Sequence, residues 1–133
     1  MTTRATGTFD VKMTPQTMSG AAGATLGRMS LEKRFHGDLA GISTGEMLTA
    51  GTGVQGSAGY VAMEHVSGAL HGRSGNFSLQ HFGTMTRGVP SLRITVVPDS
   101  GTDQLTGLAG TFTIKVADGK HFYEFEYTLG ETP

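Results

Sequence analysis

Apolar and polar residues alternate along most of this chain with a period of two, in segments bounded by Gly, Asp and Pro, which is the pattern of half-buried β-strands. From Gly7 to Met13, Phe9, Val11 and Met13 share one face, and Thr8, Asp10 and Lys12 the other. From Leu26 to His36, Met29, Leu31 and Phe35 oppose Arg28, Ser30, Glu32, Arg34 and His36. Further strands are predicted over Leu39–Thr49, Ala58–His71, Ser74–Arg87, Ser91–Val97, Leu105–Val116 and His121–Leu129, about eight in all.

The connections set expected registers. Asp118-Gly119 fits a two-residue type I′ turn that pairs Ile114 with Tyr123, Phe112 with Phe125 and Gly110 with Tyr127. Gly37-Asp38, read as a type II′ turn, sets Met29, Leu31, Lys33 and Phe35 beside Glu46, Thr44, Ile42 and Ala40. Gly72-Arg73 pairs Tyr60 with Met85, Glu64 with His81, Val66 with Leu79 and Gly68 with Phe77; sliding it to Arg73-Ser74 moves partners but keeps the same faces together. A bend at Gly88-Val89-Pro90 completes a meander.

Strands with one apolar face bury it in a sandwich or a barrel. Closure removes both edges, and an even number lets the first and last strands pair antiparallel. The predicted fold is therefore all-β, a single antiparallel barrel over residues 1–133 as one domain, with little or no helix. The long connections Thr14–Thr25 and Ala50–Ser57 fall at one end and are expected to overhang a mouth, with lid-like mobility from their glycines.

Composition agrees. Among 133 residues there are 21 glycines. The longest stretch without Gly or Pro is Lys120 to Leu129, which barely holds one average helix. A net charge of −1 with 16% charged residues gives no electrostatic attraction for nucleic acid or an anionic membrane, and neither partner is expected. The start of the chain shows no apolar stretch of signal-peptide type, and no run is long enough to span a bilayer as a helix, so a cytoplasmic protein is expected. With no cysteine, disulfides, thiolate catalysis and Cys-ligated zinc are excluded.

Two motif matches lack their structural context. Gly51-Thr52-Gly53-Val54-Gln55-Gly56 spells G-x-G-x-x-G but leads into a strand, not into the helix that would face a pyrophosphate. Gly41-Ile42-Ser43-Thr44-Gly45 spells the G-x-S-x-G nucleophile elbow, yet Ser43 falls mid-strand on the expected outer face. The five histidines lack the short helical spacing of zinc sites, so neither a metal nor another cofactor is predicted.

The expected inward faces carry a polar minority: Lys33, Glu46, Glu64, His81 and the phenols of Tyr60, Tyr123 and Tyr127. A carboxylate beside an imidazole on adjacent strands is an acid–base pair, with Glu64 orienting and polarising His81. Glu46, Tyr60 and Tyr123 are expected toward the mouth. Two accounts of the pair stay open: it serves a ligand, or it satisfies itself inside a filled barrel.

Several ordered segments resemble a bacterial family known as domain of unknown function 3224. They are Thr8-Phe9-Asp10-Val11-Lys12, Phe35-His36-Gly37-Asp38-Leu39, Gly45-Glu46-Met47-Leu48, Gly56-Ser57-Ala58-Gly59-Tyr60-Val61-Ala62-Met63-Glu64, Gly72-Arg73-Ser74-Gly75-Asn76-Phe77 and His81-Phe82-Gly83-Thr84-Met85. Val96-Val97-Pro98-Asp99-Ser100-Gly101-Thr102 and Gly119-Lys120-His121-Phe122-Tyr123 extend the likeness over nearly the whole chain. The resemblance implies a small barrel of the allene oxide cyclase-like type. Plant allene oxide cyclases bind an apolar epoxide in the barrel and are homo-oligomers, but their site residues have no match here, and a shared barrel carries no shared reaction.

Two functions are therefore expected as alternatives. In one, the lumen binds a small apolar molecule, with Glu64 and His81 as catalytic acid–base residues and Glu46, Tyr60, Tyr123, Lys33 and Met85 contacting the ligand. In the other, the barrel is a non-catalytic module that forms a homo-oligomer through outer apolar residues such as Val61, Met63, Phe82 and Phe122.

Overall fold

In the computed structural model, which describes residues 2–16 and 26–130, the strands close into one antiparallel barrel in sequence order. They are β1 (Thr3–Gln16), β2 (Leu26–Gly37), β3 (Leu39–Gly51), β4 (Ala58–Leu70), β5 (Arg73–Thr86), β6 (Val89–Val96), β7 (Ala109–Ala117) and β8 (Lys120–Thr128), with β8 pairing back onto β1. Among the described residues a single 3-10 turn, Asp103–Leu105, interrupts the strands, and no helix is long and apolar enough to cross a membrane. Of the expected lid at Thr14–Thr25, residues 17–25 lie outside the described residues.

Three hairpins are built alike. Each has two left-handed central residues, the second a glycine: His71-Gly72 (φ +48°, +80°), Arg87-Gly88 (+45°, +89°) and Asp118-Gly119 (+51°, +74°). Positive φ at both positions is the type I′ requirement, and its twist matches that of the flanking strands. The Asp118-Gly119 turn gives the expected partners Ile114↔Tyr123, Phe112↔Phe125 and Gly110↔Tyr127. The β4–β5 turn is His71-Gly72, not Gly72-Arg73, so its register moves by two residues: Tyr60↔Gly83, Glu64↔Leu79, Val66↔Phe77 and Gly68↔Gly75. A shift of two preserves the faces.

The β2–β3 corner departs further. Its register is Met29↔Met47, Leu31↔Gly45, Lys33↔Ser43 and Phe35↔Gly41, one residue from the type II′ expectation. A one-residue slip turns the whole of β3 over. Ser43 and Met47 therefore face inward, while Ile42 and Glu46 face outward. The cause is Tyr123. Its hydroxyl occupies the corner, accepting from Leu39 N–H at 2.8 Å and sharing its proton between the carbonyls of His36 (3.0 Å) and Leu39 (3.1 Å). The groups that would close a tight hairpin bond the phenol instead. Gly7 leaves room for it, since a Cβ there would lie 2.6 Å from the Tyr123 oxygen.

Short β6 leaves the start of β5, paired with β4 on one side, without a strand partner on the other. The connection 97–108 replaces it: Gln104 Oε1, Thr102 Oγ1 and Ser100 Oγ accept from Ser74, Asn76 and Ser78 N–H at 2.8, 3.0 and 3.0 Å. An exposed strand edge is thereby satisfied. The same connection buries Leu105 and Leu108 under one end of the barrel. Above them lies an aromatic core of Phe9, Phe35, Phe77, Phe112, Tyr123, Phe125 and Tyr127, with Phe112 and Phe125 stacked 4.1 Å apart. That end is closed. At the other end, beside the 52–57 loop, the described residues leave a hollow.

Candidate functional site

Inward residues along each strand order the lumen from its mouth downward. On β4 they run Ala58, Tyr60, Ala62, Glu64, Val66; on β5, read backwards, Met85, Gly83, His81, Leu79, Phe77. Three layers result: an apolar cup, a charged band and the aromatic core.

The charged band takes one side chain from each of four consecutive strands: Lys33 of β2, Ser43 of β3, Glu64 of β4 and His81 of β5. Glu64, at 1% exposure, accepts from Lys33 Nζ (3.0 Å) and His81 Nε2 (2.8 Å) on Oε1, and from the Ser43 hydroxyl (2.6 Å) on Oε2. Glu64 and His81 are not directly opposed, since Leu79 and Ala62 are their backbone partners, but the diagonal still brings them into contact. Lys33 Nζ also lies 5.0 Å from the Phe9 ring centroid and 5.9 Å from that of Phe35, a cation–π setting that helps an ammonium tolerate burial. Burial by itself raises the Glu64 pKa, but the His81 hydrogen bond, the Lys33 charge and the Ser43 hydrogen bond outweigh it and hold the carboxyl at about 2. Among the described residues no buried side-chain nitrogen or oxygen lacks a hydrogen-bond partner.

Above the band lies a cup of about 340 Å³. Met47, Thr49, Ala58, Tyr60, Met85 and Leu92 line it, and the surface they present is almost wholly apolar. Tyr60 joins cup and band, its hydroxyl 3.5 Å from His81 Nδ1. Gly83 makes this placement feasible, because a Cβ there would sit 2.4 Å from the Tyr60 ring. Burial, with the negative charge of Glu64, pushes the Tyr60 pKa up, so the phenol stays protonated. The 52–57 loop beside the cup is tied to the neighbouring turn through Arg87 N–H to Ser57 Oγ and Gly88 N–H to Gly56 O, both 3.0 Å.

The residues singled out from sequence separate into four places. Tyr60 and Met85 line the cup. Glu64, His81 and Lys33 form the band beneath it. Glu46 is corrected to the outer wall, where it pairs with Arg28, because β3 is turned over. Tyr123 is corrected to the closed end. Strand stagger sets it opposite Gly7, which in turn faces Gly37, so starting the last strand does not put it near the mouth. Ser43 was expected outside and is buried against Glu64.

A second cluster sits at the closed end. His71 bonds the Tyr127 hydroxyl through Nδ1, and its Nε2 lies 3.5 Å from Asp38 Oδ2, which also accepts from Thr6 N–H. It ties the β4–β5 turn and the β2–β3 corner to strands β1 and β8. Among the described residues no group of three or more His, Asp or Glu is placed to hold a metal ion.

Fold and site together define a small closed antiparallel barrel whose lumen, among the described residues, is filled below, charged at mid-height and hollow above. The chain belongs to the DUF3224 family, described as a protein of unknown function, whose model matches residues 5–127. A crystal structure of a protein with unknown function from that family, from Shewanella oneidensis MR-1, is 50% identical. It superposes with a TM-score of 0.93 and covers 98% of this chain and 100% of its own. No curated protein matches the chain.

Proposed function

We propose that this barrel binds a small, largely apolar molecule in its mouth. The supporting observation is the cup itself: about 340 Å³, within the range of small-molecule sites, apolar, and floored by one phenol wired to a buried charged band. Glu64 and His81 do not line the cup. Isomerase- or cyclase-like acid–base assistance from them would reach a ligand only through Tyr60.

The test is titration with a fluorescent apolar probe, N-phenyl-1-naphthylamine, against the parent protein and Ala58→Phe. Ala58 is an exposed rim residue, so phenylalanine there fills the cup without disturbing the core. Saturable binding with one probe per chain, abolished by Ala58→Phe, is the expected result. Absent binding, or binding that Ala58→Phe leaves unchanged, would remove the proposal.

A second reading, self-association through the outer wall, draws on one observation. Leu48, Val61 and Phe82 are direct cross-strand neighbours on β3, β4 and β5, all outward and exposed, with Met63 beside them. Phe122 lies on β8, apart from this row. Sedimentation velocity should show an oligomer that Phe82→Glu dissociates; a monomer at every concentration would sink this reading.

A further inference from the structure

The donors and acceptors of the band run in one direction, and that direction reaches the cup. Glu64 is ionised and can only accept, so His81 Nε2, 2.8 Å away, must carry a proton. In a neutral imidazole the other nitrogen is then an acceptor. Among the described residues the one proton within reach of it is that of the Tyr60 hydroxyl, at 3.5 Å. Tyr60 thus donates inward to His81 and turns its oxygen lone pairs toward the cup. The remaining inward-facing hydroxyl of the lining, Thr49, donates or accepts equally well and adds no preference.

We infer that the cup selects an apolar molecule bearing a hydrogen-bond donor, an alcohol or N–H group, over one of the same size bearing only an acceptor, such as a ketone. Tyr60 is the specificity-determining residue. Glu64 acts at a distance as the positioning residue that fixes the His81 tautomer. This deepens the binding proposal above and rests on it. At Tyr60 the acceptor-only head group would set its oxygen against the phenol lone pairs and find no donor there, whereas an alcohol can pair with Tyr60 as well as with Thr49.

The experiment displaces the fluorescent probe at pH 8 with 1-nonanol, 2-nonanone and nonane. Each is run against the parent and Tyr60→Phe, which keeps the ring that fills the space over Gly83. In the parent, 1-nonanol should bind about five- to tenfold more tightly than 2-nonanone, as expected for one hydrogen bond made or left unmade. In Tyr60→Phe the two should agree within about twofold, with nonane little changed. Equal or tighter binding of the ketone by the parent, or an alcohol preference that survives Tyr60→Phe, overturns the head-group inference while leaving the binding proposal standing. If the probe binds neither protein and none of the three compounds raises the parent's melting temperature, both are overturned.

Discussion

Replacing Glu64 with glutamine should be among the most damaging conservative changes this barrel can suffer. The carboxylate is sealed from solvent, and so is most of its partner Lys33, whose side chain is 7% exposed. Glu64→Gln keeps shape and volume but leaves the ammonium with no counter-charge in the lumen. Only the faces of Phe9 and Phe35 remain to soften that loss. Breaking a buried pair from one side costs about 3–5 kcal/mol. In a domain of this size that lowers the melting temperature by roughly 10–20 °C. The double variant Lys33→Met/Glu64→Gln removes both charges and should recover most of the loss, because a buried ion pair replaced by matched neutral groups is often no less stable. Urea unfolding of the parent, both single variants and the double variant at pH 7 gives the coupling energy directly. A single Glu64→Gln variant within about 1 kcal/mol of the parent would refute the claim that Lys33 and Glu64 are mutually dependent buried charges.

Three further outcomes follow from the same geometry. Glu64 is held at about 2 against its ordinary 4.5, so its contribution, about 3 kcal/mol, is fully present above pH 4.5 and lost as pH falls toward 2. Urea midpoints taken from pH 6 to pH 2 should fall across that window in the parent, and the fall should shrink in Lys33→Met/Glu64→Gln; parallel curves would contradict it. Tyr123→Phe leaves backbone groups of His36 and Leu39 without their shared hydroxyl and should cost about 1–3 kcal/mol by the same assay; a neutral result would show that the corner closes without it. Gly83→Ala drives a methyl group into the Tyr60 ring and should displace it into the cup, weakening probe binding at least tenfold at a stability cost of about 1–3 kcal/mol; unchanged affinity would mean that the ring is not seated where the cup requires.

Strands, closure and the inward position of Glu64 and His81 were legible because alternation survives any register shift of two residues. Asp118-Gly119 was readable outright, since Asp enters the left-handed region readily. Arg87 has no such tendency, and His71, although histidine enters that region readily too, falls outside the usual Asn-Gly and Asp-Gly pairs, which hid the other two type I′ turns. β3 was misread for a different reason. Its inward face carries Gly41, Ser43 and Gly45, while Ile42 and Leu48 point outward, so hydrophobicity favours the wrong face. The small residues are inside because strand β4 and Glu64 press close: a Cβ at Gly45 would lie 2.9 Å from the Glu64 Cα. Local pattern cannot report that crowding, and with it went the places of Ser43 and Glu46. Tyr123 was misplaced because barrel stagger is a property of the closed sheet, not of any one strand.

The binding proposal is tested most directly by methionine ¹³C-methyl NMR with an apolar alcohol such as 1-nonanol. Met47 and Met85 line the cup, while Met63 stands on the outer wall. Saturable shifts at Met47 and Met85 with Met63 unmoved are the predicted result. Stationary cup methyls, or a shift confined to Met63, would contradict a ligand in the barrel mouth.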